Sequence, residues 1–105
     1  MTALAAIAEK VRSKNAGPFW LTIDIFCGTA SRYEHIVANV PTEVVAKLLS
    51  VKAGDVKRFE IADLHVLKFS VPRPTIQGSR HDRDMHGAQW ACLLQELEIA
   101  DYVVS

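Results

Sequence analysis

Hydrophobic and polar positions alternate most cleanly between Phe19 and Cys27. Phe19, Leu21, Ile23, Ile25 and Cys27 fall on one side of an extended chain, and Trp20, Thr22, Asp24 and Phe26 on the other. One apolar face against a mixed one predicts a sheet strand covered by helices on one side only. Asp24 is the odd residue. Asp is unfavourable within a strand, so it must face water or find a partner. Upstream, Leu4, Ile7, Ala8 and Val11 fit a short helix over Ala3 to Val11, although Glu9 to Ser13 could equally be an extended lead-in.

The period then changes. Tyr33, Ile36, Val37 and Val40 recur at helical spacing, with Ser31 as N-cap and Glu34 three residues on as its capping-box partner. Pro41 breaks this helix. Thr42 opens a second, with Val44, Val45, Leu48 and Leu49 inward, and Gly54 and Asp55 form a turn. Val56 to Ile61 and Leu64 to Val71 read as two strands joined by a tight hairpin at Ala62 and Asp63. Pro72 and Pro74 stop the second. Gly87 to Leu94 is rich in Ala, Trp and Leu and predicts a helix. Glu96 to Ile99 alternates again as a final strand, Leu97 and Ile99 inward. The order predicts an α+β fold of the ferredoxin-like β-α-β-β-α-β type, an antiparallel sheet with helices on one face, in a single domain spanning residues 1–105.

Composition narrows the classes. Half of the 105 residues are hydrophobic, which suits a packed globule. Lys plus Arg and Asp plus Glu each total 12, so the net charge is zero. That argues against a general nucleic-acid binder, which carries a basic field. It also weakly favours life in a complex. Two cysteines, Cys27 and Cys92, are too few for a disulfide framework, and both sit in apolar runs as buried thiols. The start is too quickly charged for a secretory signal, and no apolar run approaches the roughly 20 residues of a membrane span. A reduced, cytoplasmic setting is expected.

Three polar groups could carry chemistry. Arg12, Ser13, Lys14 and Asn15 precede Gly17 and Pro18, a lead-in read as a turn whose donors could grip a carboxylate or phosphate. Pro72 and Pro74 stiffen the chain around Arg73, a good clamp for a carboxylate. The loop Gly78 to Gln89 gathers His81, Asp82, Asp84 and His86. Its spacing matches no strong metal signature, and Arg80 and Arg83 would oppose a cation, so a polar loop reaching a site, or a merely solvated connection, is favoured over a metal centre. There is no phosphate-binding loop, no dinucleotide fingerprint and no self-sufficient nucleophile. Trp20 and Trp90 fit either core or an interface.

Taken together, RSKNAGPF, the following LTIDIF, VPRP and the GAQ segment resemble the family known as domain of unknown function 4387, from about Leu4 to Ile99. The chain is also similar, less closely, to the ferredoxin-fold domain of acyclic terpene utilisation protein A. The resemblance implies a small accessory subunit beside a large acyclic-terpene-utilisation-type enzyme, not catalytic alone. It would complete a hydratase or lyase site for an acyl-CoA or organic acid. Arg12, Ser13, Lys14, Asn15, Gly17, Arg73 and Gln89 would bind the anionic small-molecule substrate, and Asp24 and Asp84 would orient a cation or act as base. No metal is implied, the cofactor is unknown, and neither nucleic acid nor membrane is expected as a partner. After GAQ the family's polar pair gives way to Trp90, Ala91, Cys92 and Leu93, which favours packing there. The alternative is a stand-alone homo-oligomer that holds a small ligand, with Thr22 and Asp24 in its interface.

Overall fold

The structure is a computed structural model that describes residues 1–17, 19–72, 91 and 93–102. Strand β1 (Thr2–Ala3) leads into a single helical turn, α1 (Leu4–Ile7). Strands β2 (Lys10–Asn15) and β3 (Trp20–Phe26) follow, then helices α2 (Ala30–Asn39) and α3 (Thr42–Leu49). Strands β4 (Lys57–Ile61) and β5 (Val66–Pro72) come next, and β6 (Glu98–Ile99) is the last. The main sheet has the order β2-β3-β5-β4, antiparallel throughout, and β1 pairs with β6 in a separate two-stranded ribbon.

The fold is therefore α+β, with the strand–helices–strand–strand run of the expected order in β3, α2, α3, β4 and β5. The outer place beside β3 belongs to β2, while β6 turns aside to pair with β1. Two N-terminal expectations are corrected here. The predicted helix is one turn long, and the alternative extended lead-in holds instead, since Lys10 to Asn15 pairs with β3 from Lys10–Phe26 to Asn15–Leu21. The RSKN segment is strand rather than turn, so its side chains alternate between faces.

The core lies between the inner face of the sheet and the helices. Leu21, Ile23, Ile25, Leu67, Phe69 and Val71 from the sheet meet Ile36, Val40, Val45 and Leu49 from α2 and α3. Leu4, Ile7, Leu94 and Ile99 close one side. Each such side chain contributes on the order of 1.5–3 kcal/mol by leaving water. The expected inward stripes hold for both helices, with Val37, Val44 and Leu48 only half-buried. Phe19 departs from its expected place. It lies outside β3 and is 75% exposed, because the chain turns there and the backbone bond from Ala16 to Trp20 closes the β2–β3 connection.

Local chemistry sets the helix ends. Thr29, not Ser31, caps α2: its hydroxyl accepts the Arg32 amide at 3.2 Å. Gly28 precedes it with φ +91°, and a Cβ there would meet the Glu9 carboxylate at 3.0 Å, so glycine is required. At the other end, the Arg58 guanidinium donates to the Val40 and Val37 carbonyls at 2.6 and 2.9 Å, and its Nε to Glu60 at 2.8 Å. Its plane lies over the Phe69 ring, 5.5 Å from the centroid. Arg58 thereby ties the C-terminus of α2 to the sheet, where a cation is favoured by unpaired carbonyls. The β4–β5 connection takes four residues, with His65 at φ 55°.

The C-terminal segment packs back on α2. His35 Nε2 lies 2.7 Å from the Ala100 carbonyl, and the Tyr102 hydroxyl donates to Ser31 at 2.8 Å. Asp101 meets both the Thr2 hydroxyl and, at 3.2 Å, the N-terminal amine.

Candidate ligand face of the sheet

The side of the main sheet away from the helices is formed by alternate residues of all four strands. Antiparallel partners share a face, so the register assigns them row by row. Arg12, Asp24, Lys68 and Phe59 form one row, and Lys14, Thr22, Ser70 and Lys57 the next. Trp20 pairs with Pro72 beyond these, and Lys10 with Phe26 on the other side. Lys10, Arg12, Lys14 and Lys57 are exposed, Phe59 is 45% exposed and Trp20 38%. The strand residues of this face thus carry five cations and one carboxylate, although the chain as a whole is neutral.

Asp24 sits at the centre. Its Oδ1 is covered and has no hydrogen-bond partner among the described residues. The Lys68 ammonium, at 3.9 Å, supplies charge but is too far to donate. Arg12 lies directly across the strand pair, yet no ion pair between them is present among the described residues. Its guanidinium lies instead 6.0 Å from the Phe26 ring centroid. Lys57 lies over the Trp20 ring at 5.2 Å, which fixes the indole against the face. The arrangement is a cationic and aromatic surface with an acceptor in its middle that no described residue satisfies. It can hold an anion, and the acceptor calls for a donor.

The sequence-predicted residues divide accordingly. Arg12, Lys14, Thr22 and Asp24 come together on this face. Ser13 and Asn15 belong to the opposite parity of β2, and Ser13 Oγ accepts the Ala91 amide at 3.2 Å, which anchors the helical residues near 91. Gly17 has φ +83° in the turn that joins β2 to β3. Arg73, Asp84 and Gln89, with the whole His81–His86 cluster, Trp90 and Cys92, lie outside the described residues. Among the described residues no group of three or more His, Cys, Asp or Glu could hold a metal ion. Lys10, Lys57, Lys68, Ser70 and Phe59 were not foreseen as members of the face. Their signal was the strand parity of Lys57, Phe59 and Ile61 and of Lys68 and Ser70, which follows once the two strands are assigned.

Cys27 lies on the helix side at the end of β3 and is fully buried. Burial pushes its thiol from 9.0 up to about 11, partly offset by a hydrogen bond with the Leu67 backbone. It is no nucleophile at neutral pH. Because its folded value is raised, its contribution to stability is intact below about pH 9 and is lost as pH rises towards 11. Urea midpoints should fall across that window in the parent and fall less in Cys27→Ala. Equal slopes for the two proteins would show that other groups govern alkaline unfolding.

Fold and face together define a small α+β protein with one basic sheet surface that no described element covers. The chain belongs to the family described as Domain of unknown function (DUF4387), whose model matches residues 4–98. No curated protein and no solved structure matches it. Among the described residues no helix is long and apolar enough to cross a membrane.

Proposed function

We propose that the chain is a small accessory subunit that presents its open sheet face to a larger enzyme subunit of the acyclic-terpene-utilisation type, in the cytoplasm. The pair would act on an organic acid or acyl-CoA by hydration or elimination. Arg12 and Lys14 hold the anionic group, and Asp24 orients the reacting part or takes a proton from it. Arg73, Asp84 and Gln89 join them in this reading on the strength of their sequence motifs. The observation that carries it is the concentration of five cations, one carboxylate and two exposed aromatic rings on the face opposite the helices. Such a surface on a neutral chain is more than solubility requires.

The alternative, a homo-oligomer that pairs through this face, would set Lys10, Arg12, Lys14, Lys57 and Lys68 of one copy against the same residues of another. Like charges brought together in this way oppose association. A tagged chain drawn from its native cells should bring down one large subunit in stoichiometric amount. In the recovered complex, Arg12→Ala should lower turnover at least about thirtyfold while assembly persists. A clean homo-oligomer without a large subunit would overturn the accessory role.

A further inference from the structure

Resting on the reading of the open face as the ligand surface, we infer that its ligand is a short hydroxy acid, with the carboxylate on Arg12 and the hydroxyl donating to Asp24. Two unmet needs stand side by side on β2 and β3. Asp24 Oδ1 is a covered acceptor without a donor among the described residues. Arg12, its direct cross-strand neighbour, is an exposed guanidinium, and among the described residues only the Phe26 ring is recorded beside it. A fold that wanted a structural ion pair could make one here, since opposite charges directly across a strand pair reach each other readily. The pair is left open instead.

A plain carboxylate would satisfy Arg12 through its fork of donors but would leave Asp24 unmet, and its own charge would lie close to the Asp24 carboxylate. A ligand that adds a donor near its carboxylate answers both residues. That donor could be a hydroxyl or an ammonium. The surrounding Lys10, Arg12, Lys14, Lys57 and Lys68 repel a second cation, so the hydroxyl is favoured. For the hydroxyl to reach the covered Oδ1 the side chains around it must shift, and Lys68 is one that can. Its ammonium stands 3.9 Å away without a hydrogen bond, on a flexible stem, and can turn to the incoming carboxylate. Thr22 in the next row donates to the Lys14 carbonyl at 3.4 Å; its hydroxyl oxygen is a neutral acceptor, weaker than the Asp24 carboxylate for a donated hydroxyl.

The test is an amide-detected NMR titration of the isolated full chain with 3-hydroxybutyrate, butyrate and 3-aminobutyrate. Saturable shifts centred on Arg12, Asp24 and Lys68 are expected, with 3-hydroxybutyrate about tenfold tighter than butyrate, as one charge-assisted hydrogen bond supplies. Arg12→Gln should abolish binding of both acids. Asp24→Asn should erase the difference between them. Lys47→Gln, on α3 and away from the face, should change neither. Equal affinity for 3-hydroxybutyrate and butyrate would overturn the hydroxy-acid inference. Tightest binding by 3-aminobutyrate would overturn the choice of hydroxyl. Absence of shifts on the face with every probe would overturn the site, and the accessory role would then stand or fall separately on co-purification of the large subunit.

Discussion

Replacing Phe69 with alanine is expected to lower the unfolding free energy by about 3–5 kcal/mol. Among the described residues Phe69 is the largest side chain with no exposure at all, and it sits in the middle of β5, between β3 and β4. Its ring meets the core on the helix side, where neither strand can close over the space left by its removal. A chain of this size has about 5–15 kcal/mol to lose, so the variant would stand near the edge of folding. The melting temperature should drop by about 15 °C or more. A loss below about 1 kcal/mol, read from urea unfolding, would mean that the site repacks and that the ring is not central to the core.

The second large effect is expected at Arg58, an edge-strand residue that looks dispensable from its surface position. Arg58→Ala removes two hydrogen bonds to the last carbonyls of α2 and the stacking on Phe69, at an expected cost of about 2–4 kcal/mol. Its bond to Glu60 adds little, because Glu60 is half-exposed and water screens the pair. Lysine should recover only a small part, since one ammonium cannot reach both carbonyls as the planar fork does. Arg58 touches Phe69, so the double variant should cost less than the sum of the two single ones. Additive losses would separate the guanidinium's capping from its stacking and assign the effect to the helix end alone.

Strand parity explains both what could be read from the chain and what could not. β3 and β5 were legible because buried aliphatic residues alternate in them without interruption, and the helices because their stripes are bounded by Pro41 and by a clear change of period. β2 was not. Lys10, Arg12, Lys14 and Asn15 have little preference for strand, and Val11 is its only buried residue. Pairing with β3 imposes the extended shape, a tertiary effect that no local pattern carries. The same gap hid the ligand face. Arg12, Lys14 and Asp24 were each identifiable as candidate chemistry, but a turn gives no reason for Arg12 and Lys14 to share a side while Ser13 takes the other. The α2 cap was missed for a simpler reason. Ser31 with Glu34 and Thr29 with Arg32 are both plausible starts, and the extended backbone at Thr29, which makes it the cap, is invisible in a string of letters.

The ribbon of β1 and β6 has a consequence for the order in which the molecule assembles. Thr2 and Ile99 are nearly the whole chain apart, and each strand contributes only two residues. Bringing such distant segments together costs more conformational freedom than closing the short hairpins β2–β3 and β4–β5, and two residue pairs return little for it. The four-stranded sheet and its helices therefore come first and the ribbon last. On the way out the sequence reverses: the Leu4 amide, bonded to the Leu97 carbonyl, is released to solvent while the centre of β3 still holds.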